Sequence, residues 1–387
     1  MKLAMIGFGQ AGGKIVDRFI EFDRQTRGKT VRAAIAVNSA SADLQGLNNI
    51  APERRVLIGQ TRVKGHGVGA DNELGAEVAA EDIAEIQAAL DGVPTHEVDA
   101  FLIVAGLGGG TGSGGAPVLA KHLKRIYSEP VYGLGVIPGT EEGGIYTLNA
   151  ARSFQTFVRE VDNLIVFDND AWRQTGESVE GGYAAINEEL VRRLGVLFGA
   201  GEVDPGDAVA ESVVDSSEII NTLANGGVST IGYAVEQLES ENGGLFSRFA
   251  KKDLDEVDET NRITSLVRKA TLGRLTLPCE VQGAERGLLV VAGPPERLNR
   301  KGIERGRKWL EEQTGSMEIR GGDYPLPKEQ SVAAVVLLSG VTNVPRIKAL
   351  QQVAIEAMEN IEELRNESDA KLADLLATGD EELTPLF

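Results

Sequence analysis

The sequence predicts an α/β fold: a mostly parallel sheet domain joined by a core helix to a smaller α/β domain. Three observations predict it. Short β-rich apolar runs alternate with amphipathic helical patterns through the first half of the chain. The glycine-rich run Gly108-Gly109-Gly110-Thr111-Gly112-Ser113-Gly114 joins the apolar stretch Phe101–Ala105 to a helical pattern. After a polar, charged stretch at 239–262, apolar β-rich runs return at 275–281, 287–292 and 331–340.

Taken in order, strands are expected at Leu3–Ile6, Val31–Val37, Arg55–Ile58, Ala100–Val104, Val131–Ile137 and Asn163–Phe167, each a short β-branched or aliphatic run. Helices are expected between them at 11–25, 75–90, 114–127 and 144–160, with the core helix at about 178–198. Such alternation implies a parallel sheet covered on both faces, with ligands bound beyond the carboxyl ends of the strands. Past Gly199-Ala200-Gly201 the texture changes. Residues 202–214 read as an acidic loop, 216–224 as a short helix and 239–262 as a surface excursion, with helices near 296–314 and 344–366. The boundaries expected are 1–200, 201–366 and an acidic, flexible tail at 367–387 that ends Leu386-Phe387.

Composition narrows the function. A chain of 387 residues with 42% hydrophobic and 25% charged residues is that of a soluble globular protein with room for two domains. A formal charge of −19 excludes a general nucleic-acid binder, because no basic surface is available to neutralise phosphates. The same acidity serves solubility and suits high salt. Cys279 is the single cysteine, and His66, His96 and His122 are scattered, so neither a disulfide framework nor a metal cluster is expected. Met1–Gly7 is too short in apolar residues for a signal peptide, and no run reaches the roughly 18 apolar residues of a membrane span. A cytoplasmic location is expected.

The glycine run carries the first chemistry. A buried strand that ends in glycines and opens a helix gathers backbone N–H groups at the positive end of the helix dipole, a site suited to a phosphate chain. A second loop, Gly7-Phe8-Gly9-Gln10-Ala11-Gly12, also follows a strand and opens a helix. Alone it suggests a dinucleotide site and an NAD-dependent oxidoreductase. That reading wants an acid at the end of the second strand, and Asn38-Ser39 stands there instead. The Walker pattern fails as well, since Lys14 follows Gly13 but Phe8 and Ile15 do not fit. Two phosphate loops in one domain are foreign to both.

They are required in the tubulin and FtsZ superfamily of GTP-binding, polymerising proteins, whose phosphate-loop signature the run at 108–114 resembles. The resemblance implies a GTP-binding domain of parallel sheet, a core helix and a smaller α/β domain. It implies phosphate contacts from Gly108, Gly109, Gly110, Thr111 and Gly112, and a first nucleotide loop from Gly9, Gln10, Ala11, Gly12 and Gly13, the glutamine being tubulin-like. Lys14 stands where the family has Asn or Gln. Gly67-Val68-Gly69-Ala70-Asp71-Asn72-Glu73-Leu74-Gly75 is similar to the γ-phosphate loop of FtsZ and brings in Gly69, Ala70, Asp71 and Asn72; the same residues also spell an ordinary helix cap. Glu142, in Pro138–Gly143, falls at the ribose-binding acid, or is a solvated loop acid. Tyr146 replaces an FtsZ arginine. Asn169 falls beside the purine. Tyr183 and Asn187, spaced i, i+4 on one helix face, match tubulin's base-stacking and base-reading pair. A magnesium ion held mainly by the phosphates is implied.

For catalysis the family inserts a polar loop from the neighbouring subunit. The matching acids are Asp215 and Glu218, which also form a capping box on a helix. Val213 replaces an asparagine of FtsZ, and the loop at 199–214 is longer, which implies slow turnover. The mixture of tubulin-like and FtsZ-like motifs in an acidic chain is most similar to the archaeal CetZ group. The resemblance implies a GTPase that assembles head-to-tail into filaments and controls cell shape, at the inner face of the membrane through an adaptor reached by the C-terminal tail. A nucleotide-dependent scaffold that scarcely hydrolyses remains the alternative.

Overall fold

Strand β1 (Leu3–Phe8) is buried along its whole length, as a central parallel strand covered on both faces must be. In the computed structural model, which describes residues 1–172, 179–200, 202, 214–238 and 252–376, it pairs in parallel with β2 (Val31–Asn38) and β4 (Ala100–Gly106). β3 (Arg55–Leu57), β5 (Val131–Ile137) and β6 (Asn163–Asp168) extend the same parallel sheet. Between these strands run α1 (Gly9–Thr26), the short α2 (Ser41–Gln45) and α3 (Gln60–Val63), then α4 (Asn72–Glu81), α5 (Ile83–Leu90), α6 (Thr111–Ile126) and α7 (Gly144–Glu160). The one-turn helix α8 (Asn169–Trp172) follows β6, and α9 (Val179–Gly199) is the core helix.

The second half adds α10 (Ser216–Leu223), β7 (Val228–Gln237), α11 (Lys252–Leu272), β8 (Arg286–Gly293), α12 (Arg300–Thr314), β9 (Glu318–Pro325), β10 (Ser331–Ser339) and α13 (Pro345–Leu376). Among the described residues the strands form one sheet in the order β3-β2-β1-β4-β5-β6-β7-β10-β8-β9. β7 runs parallel to β6, and β10 is antiparallel to both β7 and β8. Alternate side chains feed two cores. On β4, Phe101, Ile103 and Ala105 join the core under α4–α7 and α11–α13, while Leu102 and Val104 join the core under α1 and α9.

Several expectations need correction. Residues 275–281 form no strand. Leu275 and Leu277 are buried, and Thr276 bridges β6 and β7 through the bonds Thr276 N to Ile231 O and Asp168 N to Thr276 O. β7 and β9 were not expected, and the helix expected at 75–90 is two helices that break at Asp82. Residues 252–262 of the expected surface excursion are helical, the first part of α11, in which Val257 is exposed; the helix buries its apolar side chains beyond them, at Ile263, Leu266, Val267 and Ala270. α13 runs through Leu376, so the first part of the segment expected as a loop-like tail, 367–376, is helical; residues 377–387, with Leu386 and Phe387, lie outside the described residues. So does most of the loop at 199–214, Val213 included.

Candidate nucleotide site

The chain turns to opposite sides of the sheet from β1, toward β2 and then back to β4, so a crevice opens beyond the carboxyl ends of β1 and β4. Both glycine loops sit there, interlocked at backbone distance. Gly9 has φ +73°, and a Cβ on it would lie 2.8 Å from the backbone nitrogen of Gly112. No other residue allows the two phosphate loops to approach so closely. The loop at 67–75 packs on the loop at 108–114, where a Cβ on Gly110 would meet Val68 and Asp71, and between these two residues Ala70 is a non-glycine residue with φ +63°. That left-handed conformation is costly without support. Asn149 on α7 supplies it: its amide donates to the carbonyl of Ala70 at 2.6 Å and to that of Gly108 at 3.1 Å. A further brace joins the hydroxyls of Ser39 and Thr111, 2.7 Å apart and buried.

The loops enclose a cavity of about 440 Å³. Gly9, Gln10, Ala11 and Lys14 line it from β1 and α1; Gly108, Gly109, Gly110, Thr111 and Gly112 from β4 and α6; Gly69 and Ala70 from the third loop. Its other end is lined by Glu142, Asn169, Tyr183 and Asn187, contributed by a loop and two helices. Thus residues from Phe8 to Asn187 meet in one pocket. Gly12, Gly13, Asp71 and Asn72 are not among its walls. A Cβ on Gly12 would overlap the carbonyl of Val104, so that glycine serves the packing of α1 on β4. Asp71 caps α4, accepting from the backbone nitrogens of Glu73 and Leu74 at 3.0 Å each. Asn72 lines a separate groove between α4, α6 and α7.

Sequence reasoning missed Asn38, Asp43, His66 and Tyr146, which also line the cavity. Asn38 ends β2, where the carboxyl-end rule alone points to it. Its amide donates to Asp43 at 3.0 Å, which brings a carboxylate into the pocket five residues beyond the expected position. Ser39 carries no motif, and its bond to Thr111 exists only in the folded chain.

Nucleotide chemistry fits the polar end of the pocket. Asn169 lines the cavity, and its side-chain oxygen is buried with no hydrogen-bond partner in the protein. A buried acceptor left open costs free energy, so a ligand that donates there is favoured. Asn169 stands between Asp168 and Asp170. Burial pushes the Asp168 carboxyl above its ordinary range, against the pull of Arg346, whose Nε lies 3.2 Å away. Glu142 is engaged within its own loop, accepting from the backbone nitrogen of Gly139 at 2.6 Å. Three residues after Asn169, the ring of Trp172 lies 4.1 Å from the Arg193 guanidinium, which is paired with Glu189 at 2.7 Å. This stack fastens α8 to the core helix, whose N-terminal turns carry Tyr183 and Asn187.

Asp215 and Glu218 are elsewhere. The 21 residues of α9 make a rod of about 31 Å. It leads from Tyr183 at the pocket to Phe198, whose carbonyl accepts from Met1 at the start of β1. α10 lies at that same end, since Arg286, the first residue of β8, donates to the carbonyl of Asn221. Asp215 caps α10, accepting from Glu218 N at 3.1 Å and from the Ser217 hydroxyl at 2.6 Å. The Ser217 bond, above all, holds its carboxyl below the ordinary range. Glu218 does not complete the capping box with both oxygens, because its Oε2 is buried without a partner. Burial, reinforced by Asp215, pushes its carboxyl up.

Residues 2–177 match the model of the tubulin/FtsZ family GTPase domain, and 176–356 match that of the C-terminal domain of tubulin-like CetZ. Tubulin-like protein CetZ1 of Haloferax volcanii is 76% identical over 373 residues, 94% of each chain. The chain belongs to the CetZ family of tubulin-like proteins. CetZ3 of the same organism is 66% identical over the full length of both chains. Among solved structures, a GDP-bound monomer of Haloferax volcanii CetZ1 superposes with a TM-score of 0.83 at 72% identity, covering 92% of this chain and 100% of that one. A GTPγS-bound protofilament of CetZ2 from that organism superposes with a TM-score of 0.84 at 46% identity, covering 94% and 100%. CetZ membership also explains why two glycine loops share one domain, which the oxidoreductase alternative does not. Among the described residues, no helix is long and apolar enough to cross a membrane.

Proposed function

We propose that this CetZ protein binds GTP in the cavity beyond β1 and β4, assembles head-to-tail and hydrolyses GTP at the contact between copies, in the service of cell shape. One observation carries the reading: Asp215 and Glu218 stand at the end of the sheet opposite the pocket. They cannot serve their own nucleotide, yet in a head-to-tail stack they meet the next one. The protofilament of the relative CetZ2 supports that mode of assembly.

Within the pocket the backbone N–H groups of the glycine loops and the α6 N-terminus receive the phosphates. Glu142 takes ribose hydroxyls once released from Gly139. Tyr183 stacks on the guanine, and Asn187 and Asn169 read its edge. A magnesium ion would be held mainly by the phosphates and would neutralise their charge; Asp43 is a carboxylate in the cavity wall. The incoming Asp215 and Glu218 orient the attacking water.

Steady-state turnover per subunit, measured against protein concentration, tests this. A steep rise through the assembly threshold is expected. Turnover independent of concentration overturns cross-subunit catalysis. The capping bonds of Asp215 favour a second reading, a nucleotide-dependent scaffold, which predicts filaments with negligible turnover.

A further inference from the structure

Arg346 lies in the first turn of α13, far from the phosphate loops in sequence and not among the walls of the cavity. Its guanidinium nevertheless touches three acceptors beside the pocket. Nε donates to Asp168 Oδ1 at 3.2 Å, Nη2 donates to the carbonyl of Pro138 at 2.8 Å, and Nη2 stands 3.1 Å from Asp170 Oδ2. Asp170 in turn accepts from the backbone nitrogen of Thr140 at 2.9 Å, and its own N–H bonds Asp168 Oδ1 at 3.2 Å.

These acceptors belong to the two segments that shape the far end of the cavity. Pro138 and Thr140 are in the loop that carries Glu142. Asp168 and Asp170 flank Asn169, which lines the cavity and has a buried side-chain oxygen without a partner. We infer that Arg346 is a positioning residue for the nucleotide pocket, fixing the Glu142 loop and Asn169 in one arrangement from the C-terminal helix. The inference rests on the GTP reading above.

The guanidinium suits this task because its rigid fork of donors serves several acceptors at fixed angles. It also holds two like-charged carboxylates together. Without it, Asp168 is a buried charge lacking its cation and Asp170 repels it, so the turn between them, which is Asn169, has no fixed position. Lysine keeps the charge but not the fork. Because Arg346 lies in the segment matched by the CetZ C-terminal model and its acceptors in the GTPase segment, it also makes pocket geometry depend on how α13 is seated.

The test compares full-length wild type with Arg346→Ala and Arg346→Lys, measuring affinity for GTP, ITP and 2′,3′-dideoxy-GTP below the assembly threshold, together with thermal melting. ITP lacks the exocyclic amine of guanine, and the dideoxy nucleotide lacks the ribose hydroxyls. Arg346→Ala is expected to weaken GTP binding by about tenfold and to shrink the preference for GTP over both analogues, with Arg346→Lys intermediate. Unchanged affinity, or an equal loss for all three nucleotides, overturns the inference, since a purely structural tie lowers melting without altering preference. If Arg346→Ala fails to fold, Arg346→Lys decides: it keeps the charge but loses the fork shared by Pro138, Asp168 and Asp170. Wild-type affinity and wild-type preference for GTP over both analogues in Arg346→Lys then overturn the inference. Failure of the wild type itself to bind GTP refutes the GTP reading instead.

Discussion

The hydroxyls of Ser39 and Thr111 share a buried hydrogen bond of 2.7 Å across 72 positions of sequence. It fastens the turn after β2 to the first residue of α6, which lines the phosphate end of the pocket. Ser39→Ala leaves the Thr111 hydroxyl without that partner, at a cost of about 1–3 kcal/mol. Chemical denaturation should report the loss, and GTP affinity should fall several-fold in the folded protein. Wild-type affinity together with wild-type stability would show the brace to be idle.

Gly12 and Gly109 should behave in opposite ways. A Cβ on Gly12 overlaps the Val104 carbonyl, whereas nothing lies within 4 Å of a Cβ on Gly109, which is exposed at the cavity wall. Gly12→Ala therefore forces α1 away from β4 and should cost about 1–3 kcal/mol or more. Gly109→Ala should melt like wild type and bind GTP more weakly, because its methyl group enters the phosphate space. Melting temperatures and nucleotide affinities of the two variants check this directly.

Asp215 and Glu218 separate capping from catalysis. Asp215→Ala removes the α10 cap and should cost about 0.5–2 kcal/mol. Glu218→Gln should do the reverse to stability. The folded-state pKa of Glu218 is raised by burial, so its favourable contribution is present at low pH and is lost as pH rises through that value. At neutral pH the ionised side chain is a net burden, and glutamine relieves it. The variant should thus melt higher than wild type at neutral pH, with the gain vanishing below the ordinary carboxylate range. Its turnover should collapse and its filaments should persist. Full turnover in Glu218→Gln at concentrations where filaments form would falsify the catalytic assignment.

Asn187→Asp should reduce the preference for GTP over other purine nucleotides. A carboxylate cannot donate to the base as an amide does, and Tyr183, one turn before it, would still stack. Unchanged discrimination in competition binding would remove Asn187 from base recognition.

What was legible in the sequence was local. Glycines between an apolar run and a helical pattern mark a strand-loop-helix turn wherever the chain places them, which is why the β1 and β4 loops could be read without coordinates, whereas Gly69 and Ala70 came only from the resemblance of 67–75 to the FtsZ loop. The i, i+4 spacing likewise put Tyr183 and Asn187 on one face of α9. β9 was hidden because Glu318–Pro325 carries two glycines, an arginine, an aspartate and a proline, and becomes a strand only by lying along β8. The converse error at 275–281 has the same origin. Its apolar alternation fits an extended chain, but Pro278 has no N–H to extend a ladder beyond the Thr276 bonds to Ile231 and Asp168.

By itself, then, the sequence determined that this chain builds phosphate loops on a parallel sheet and joins them to a long core helix. Periodicity, propensity and glycine freedom act within a few residues, and a linear pattern records them. The tertiary structure decided which distant groups complete the pocket: Asn149 under Ala70, Ser39 against Thr111, and Arg346 behind Asp168 and Asp170. It also decided that Gly12 packs a helix rather than lining the cavity, and that Asp215 and Glu218 stand at the far end of the sheet. Those relationships depend on strand order and on the direction of α9, which no short window of sequence contains.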